Sequence, residues 1–252
     1  MTQLDTAFNY HHFASHRTLA ATGLMQHFEI TTKVGFHTDG HSLDPQHLRS
    51  AVETTVRELG REPDTVLLHN PERDPEAVTP ACGELLRMRD MGLFRSWGIS
   101  SWDPRGLVDH PWVNNAPDVL MIRAGLAVPV HVLDAGEKLA ASTGAQQLRG
   151  MSPFGGFATA DVWSRFDARV FLADGPAAGG LQAVFAAAFA LPPVTQIAVG
   201  TSSPEHLAEL VRASRFSVNT AKVDEYRRLL AERATVTHKP DPKGSTSAAV
   251  LG

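Results

Sequence analysis

Four side chains of acid–base type sit at or just past the ends of apolar runs. Asp5 and Tyr10 bracket Leu4-Asp5-Thr6-Ala7-Phe8-Asn9-Tyr10, Lys33 closes Phe28-Glu29-Ile30-Thr31-Thr32-Lys33, and His69 closes Thr65-Val66-Leu67-Leu68-His69. Ser100 and Ser101 follow Trp97-Gly98-Ile99 in the same manner. A carboxylate, a phenol, an ammonium and an imidazole together suit the movement of a proton. Phenols are weak acids near neutrality, and an adjacent ammonium favours the phenolate, making a tyrosine a better proton donor. Sequence-distant residues can form one such site because a parallel α/β barrel brings all its strand ends to one face.

The elements that must position them alternate along the chain. Strands are predicted at Gln3–Ala7, Phe28–Lys33, Thr65–His69, Ser96–Ser100, Val119–Ile122, Gln147–Met151 and Gln196–Gly200, several of them Ile/Val/Leu-rich as for strands covered on both faces. Helix-period segments lie between them. Asp44-Pro45 starts one that carries Leu48, Val52, Val56 and Leu59 and stops at Gly60. Others are expected at Pro75–Met91, Val132–Ser142, Leu181–Leu191, after Ser203-Pro204, and around Val223–Leu230. Strand–helix alternation without a linker implies one domain, residues 1–234, with right-handed crossovers. Residues 235–252 lack periodicity and are expected to form a disordered tail. No Gly-x-Gly-x-x-Gly follows the first strand, and polar residues close many strands, so a (β/α)8 barrel of TIM type is favoured over a doubly wound sheet.

Composition narrows the function. A length of 252 residues suits one barrel, and a net charge of −4 gives no footprint for nucleic acid. Cys82 is alone, which excludes an intrachain disulfide and fits a reducing cytoplasm. No basic-then-apolar leader opens the chain, and no apolar run reaches membrane-spanning length. His12 and His16 have helical i, i+4 spacing, but no acidic third ligand lies nearby, so no metal site is expected. His11 and Trp102, each beside a candidate site segment, are expected to touch substrate.

From residue 4 to about residue 230 the chain resembles the aldo-keto reductases. Leu4 to Tyr10 is similar to that family's opening Asp-to-Tyr motif, Ile30-Thr31-Thr32-Lys33 to its lysine strand, and Leu67-Leu68-His69-Asn70-Pro71 to its histidine strand. Phe94 to Ser101 is similar to its Gly-Val-Ser-Asn segment, Ser152-Pro153-Phe154-Gly155-Gly156 to the loop after its seventh strand, and Val199 to Glu205 to its phosphate-binding turn. The resemblance implies carbonyl reduction with NADPH. Tyr10 would be the general acid, Lys33 and Asp5 would tune it, and His69 would orient the carbonyl. It further implies cofactor contacts at Ser100, Ser101, Met121, Met151, Ser152, Gly200, Thr201, Ser202, Ser203 and His206.

Departures concern the hydride half. Ser101 stands where the family usually has Asn, Met121 where it has Gln, and Met151 where a Tyr stacks on the nicotinamide. Two alternatives therefore accompany the reductase reading: redox-neutral acid–base chemistry (elimination, isomerisation or cyclisation) by the same tetrad, and a non-catalytic binding subunit. The family also has a strand–helix unit before the Asp-to-Tyr motif, whereas three residues precede it here. The barrel is thus expected to be incomplete at its N-terminus. Either the true start lies upstream, or a second subunit or the segment after Ala234 covers the seam beside Gln3–Ala7.

Overall fold

In a computed structural model, the structure describes residues 2–111, 116–156, 158–159, 161–173 and 178–237. Residues 112–115, 174–177 and the expected tail at 238–252 lie outside the described residues. Residues 235–237 continue a helix, Thr220–Thr237.

Seven parallel strands form the sheet: β1 (Gln3–Asp5), β2 (Glu29–Val34), β5 (Thr65–His69), β6 (Ser96–Ser101), β7 (Val119–Arg123), β8 (Gln147–Met151) and β9 (Gln196–Ala198), in that order. A small antiparallel hairpin, β3 (Phe36–His37) and β4 (Gly40–His41), rises from the end of β2. All seven expected strands are present. The first and last are shorter than expected, while the hairpin has no strand-length apolar run to announce it. The sheet curls into a nearly closed barrel. Arg149 of β8 donates from Nη1 to Thr31 Oγ1 of β2 at 3.0 Å, a bond across the interior between strands far apart in the sheet.

Period-two alternation sorts the strand residues between two cores. Val66, Leu68, Trp97, Ile99, Leu120 and Ile122 face outward into the main hydrophobic cluster with the helices. Leu67, Val119 and Met121 face inward, joined by Met151 and Ala198. Thr32 faces outward, since its hydroxyl meets the buried imidazole of His16 in the helix Ser15–Ala20 at 2.8 Å. The same parity sends Thr31 and Lys33 inward, along with His69, Ser100 and Arg123.

The helix signals act as anticipated. Asp44 Oδ1 accepts from the N–H groups of Gln46 and His47, capping the helix Pro45–Leu59, and Gly60 ends it in the left-handed region at φ 71°. Leu48, Ala51, Val52, Thr55 and Leu59 form its buried stripe. The apolar segment at 181–191 forms the buried helix Gly180–Ala188. No helix among the described residues is long and apolar enough to cross a membrane.

β1 and β9 are the two edges of the barrel. Thr2 O and Thr6 N bond to β2, and Thr195 N bonds to Leu148 O. By alternation, the backbone groups of Gln3, Asp5, Gln196 and Ala198 face the space between the edges. A groove of about 550 Å³ lies there, lined among others by Gln3, Asp5, Arg149, Phe185, Ile197 and Leu210. This is the seam expected beside β1.

Gly98 shows how tightly the strands approach. A Cβ at this position would stand 2.0 Å from the carbonyl oxygen of Val119. Gly98→Ala is expected to destabilise the fold by about 3 kcal/mol, read as a lowered urea midpoint. Gly180→Ala, where a Cβ meets nothing within 4 Å, should leave the midpoint unchanged or slightly raised.

Candidate active site

Asp5 ends β1, and Lys33 lies one residue before the end of β2. The register Asp5↔Thr31 sets the carboxylate beside the inward-facing lysine. Lys33 Nζ donates to Asp5 Oδ2 at 2.5 Å and to the Thr6 carbonyl at 3.0 Å. Only 2% of the lysine side chain is exposed, against 26% of the aspartate. Burial removes the ammonium from water, so these fixed acceptors hold it in one place.

Tyr10 comes from the turn after β1, not from a strand. Phe8 N bonds to Lys33 O at 2.9 Å, tying that turn to β2. His11, His12 and Phe13 then take left-handed backbone angles of φ 51°, 52° and 61°. Such angles cost non-glycine residues about 1–2 kcal/mol each and concentrate at functional sites. The strain is offset by anchoring: Phe13 packs edge-on against Phe8 at 5.6 Å, and Ser15 Oγ meets Thr6 Oγ1 at 2.7 Å. The result presents Tyr10, 42% exposed, with Lys33 Nζ 5.2 Å from the centre of its ring.

His69 closes the group. Its ring lies edge-to-face with Tyr10 at 6.1 Å and with Phe36 of the hairpin at 4.9 Å. His41 of β4 donates from Nε2 to the His69 carbonyl at 2.9 Å. Burial, with Lys33 and His41 nearby, lowers the His69 pKa to about 3. The imidazole is therefore neutral at physiological pH, able to donate one hydrogen bond and accept another. Its Nδ1 is buried without a hydrogen-bond partner among the described residues.

Register continues the site around the barrel, through His69↔Ser100 and Ser100↔Met121. Ser100 faces inward, fully buried, with its hydroxyl donating only to Met151 Sδ at 3.8 Å. Met121 and Met151 share one apolar cluster beneath it. Ser101 alternates to the other face of β6, where its buried hydroxyl lacks a partner among the described residues. Ser152, after β8, is left-handed at φ 55°. The turn Gly200–Ser203 follows β9 and leads into the helix Pro204–Ala213. Ser203 Oγ accepts from His206 N at 3.2 Å and donates to Glu205 Oε2 at 2.8 Å. Gly200, Thr201, Ser202 and His206 are exposed there, apart from the tetrad. His11 is exposed beside Tyr10. His16 is buried on Thr32, and no group of three or more His, Cys, Asp or Glu among the described residues could hold a metal.

The mouth also holds residues that motif reading passed over. Phe36 and His41 brace His69 from the hairpin. Glu72 Oε1 accepts from the N–H groups of Trp102 (2.7 Å) and Asp103 (3.0 Å), fixing the loop after β6. Arg123, the last inward residue of β7, lies with its guanidinium 4.8 Å from the centre of the Trp102 ring.

Residues 1–118 match the sequence model described as the Aldo/keto reductase family. Over that stretch, just under half of its length, the chain is similar to that family. Among solved structures, the holo form of an aldo-keto reductase from Bacillus halodurans matches with a TM-score of 0.71 at 18% identity, covering 91% of this chain and 82% of that one. The thermostable aldo-keto reductase Tm1743, in complex with the inhibitor epalrestat, matches at 0.68 and 22%, covering 90% and 80%. An aldo-keto reductase from Klebsiella pneumoniae in complex with NADPH matches at 0.62 and 17%, covering 99% and 84%. At these identities the likeness shows the fold. No curated protein matches the chain.

Two imidazoles, the buried His16 and the half-buried His69, resist protonation. Burial lowers His16 to about 4, and His69 to about 3, from the ordinary value of 6.5. Below pH 6.5 the unfolded chain binds protons that the folded chain refuses, so stability falls as the pH drops from 6.5 toward these values. His16 alone accounts for about 3 kcal/mol of that loss. Urea unfolding at pH 7 and pH 4.5 should show the decline, with a shallower slope in His16→Gln. The His69 ring resonances should stay flat in NMR titrations from pH 8 to pH 5.

Proposed function

We propose that the chain is a nicotinamide-dependent carbonyl reductase, with NADPH as the hydride donor and Tyr10 as the proton donor. The observation that carries this reading is the meeting of Asp5, Lys33, Tyr10 and His69 at one end of the barrel, linked by contacts from each to the next. When bound, the dinucleotide supplies the hydride that converts a carbonyl carbon to an alkoxide. The tetrad supplies the remainder. His69, neutral and edge-on to Tyr10, positions the carbonyl oxygen by a hydrogen bond. Tyr10 passes its proton to that oxygen as negative charge builds. The Lys33 ammonium beneath the ring stabilises the charge left on the phenol, and Asp5 keeps the ammonium in register.

The chain also offers a cradle for the dinucleotide. Ser100 has a buried hydroxyl with only a sulfur partner, and this suits a polar group such as a carboxamide. Met121 and Met151 form an apolar, polarizable floor for a flat ring. Ser152 and the turn at Gly200, Thr201, Ser202 and Ser203 would hold phosphate groups at the N-terminus of the helix Pro204–Ala213, with His206 beside them. Trp102 would border the substrate, while Ser101, turned to the outer face of β6, would not touch the ring.

Met121 and Met151 also support a second reading. Neither side chain can hydrogen-bond an amide as Asn or Gln would, which favours redox-neutral proton transfer by the same tetrad. The two readings part on one experiment. With NADPH and an aromatic aldehyde, the purified chain should oxidise NADPH, and Tyr10→Phe should lower kcat at least 100-fold, in the range of lost general acid catalysis, without weakening NADPH binding. Folded protein that leaves NADPH fluorescence unchanged at millimolar cofactor would contradict the reductase reading. Nicotinamide-free turnover lost in Tyr10→Phe would establish the second.

A further inference from the structure

We propose that Arg123, stacked on Trp102 at the mouth of the barrel, forms a subsite for an anionic group, and that the carbonyl compound taken here carries a carboxylate. The proposal rests on the carbonyl-reductase reading and adds the substrate class to it.

Placement comes first. Arg123 is two residues beyond Met121 on β7, so it faces the same interior as Met121, Ser100 and Lys33, one layer nearer the mouth. An arginine at the end of an otherwise apolar strand, Val119-Leu120-Met121-Ile122-Arg123, has no packing role that a leucine would not fill better. Its Cα partner is Met151, at the rim of the apolar floor.

Geometry is the second argument. Arg123 Nε donates to the Trp102 carbonyl at 2.8 Å, and the guanidinium lies 4.8 Å from the centre of the Trp102 ring. Bond and stack fix the plane of the fork, so little entropy remains to be lost when a ligand binds. The terminal Nη1 and Nη2 groups make no hydrogen bond or ion pair among the described residues. Two coplanar donors of this kind match the two oxygens of a carboxylate.

The neighbouring charges are already engaged. Asp103 is held by Arg105, with Nη2 to Oδ2 at 2.6 Å and Nε to Oδ1 at 2.8 Å. Glu72 is bound through Oε1 to two backbone N–H groups, while its Oε2 is buried without a hydrogen-bond partner among the described residues. A second guanidinium, Arg73, lies 5.4 Å from the centre of the Phe36 ring, which itself packs on His69. Arg73 makes no ion pair among the described residues either. The mouth thus presents two ring-stacked cations without an ion pair among the described residues, and burial disfavours the charge on Arg123, offset in part by Asp103 and Glu72 nearby.

The test compares 4-carboxybenzaldehyde with benzaldehyde as substrates for the wild type, Arg123→Gln and Arg123→Lys. The wild type should prefer the acid. Arg123→Gln should lower the acid-to-neutral ratio of kcat/KM by roughly 30-fold, as expected for the loss of a charge-assisted fork, while benzaldehyde turnover stays near wild type. Arg123→Lys, which keeps the charge without the fork, should fall between. An unchanged ratio in Arg123→Gln would overturn the proposal. So would an equal loss for both aldehydes, or weaker NADPH binding with the ratio preserved, which would assign Arg123 to the dinucleotide. Calorimetric binding of 4-(hydroxymethyl)benzoate against benzyl alcohol needs no turnover. If neither aldehyde is reduced, the reductase reading fails, and this second arm still decides the subsite. Tighter binding of the acid, abolished by Arg123→Gln, supports it; equal binding of the two overturns it.

Discussion

The buried ion pair between Asp5 and Lys33 is the interaction on which the site depends. Lys33 is almost wholly removed from water, and its ammonium is held by one carboxylate and one backbone carbonyl. A buried pair of this sort adds little net stability, but removing one partner leaves the other unsatisfied, at about 3–5 kcal/mol. What the pair provides is position. The β1–β2 register fixes Asp5 against Lys33, Lys33 fixes a positive charge under Tyr10, and the strained turn at His11–Phe13 keeps the phenol exposed above it. His69 is then oriented from two sides, by the Tyr10 ring and by the hairpin Phe36–His41.

The two halves of the barrel differ in how fully they are furnished. On the side of β1, β2 and β5, Asp5, Lys33, Tyr10 and His69 each touch another member of the group. On the side of β6, β7 and β8, Met121, Met151 and Val119 form an apolar layer around the Ser100 hydroxyl, with the inward-facing Arg123 toward the mouth and Arg149 on the far side. The seam reinforces the contrast. Asp5 belongs both to the ion pair and to the wall of the groove between β1 and β9, so whatever occupies that groove touches the base of the proposed acid–base site.

Much of this was legible in the sequence, for physical reasons that differ between elements. The strands could be read because they are buried on both faces, and an apolar run ending in a polar residue is a strong signal in a parallel barrel. The helix Pro45–Leu59 could be read because Asp44, Pro45 and Gly60 punctuate it. Asp5, Tyr10, Lys33 and His69 stood out because each interrupts an apolar pattern. The hairpin Phe36–His41 did not, since its two-residue strands carry no periodicity, and its importance lies in tertiary contacts with His69. Nor did the left-handed turn after Tyr10, which uses histidines and a phenylalanine where glycine would have been the expected marker. Arg123 had a signal that motif matching passed over: inward parity with Met121 at a strand end.

The claim that Asp5, Lys33 and Tyr10 act as one proton-delivering unit is tested most directly by a double-mutant cycle on kcat. Lys33→Met and Tyr10→Phe, each shown to be folded, are compared with the double variant. If the lysine acts only through the tyrosine, the double variant should be no slower than Tyr10→Phe alone, a strongly non-additive result. Losses that multiply, or a Lys33→Met variant with wild-type kcat, would contradict the account.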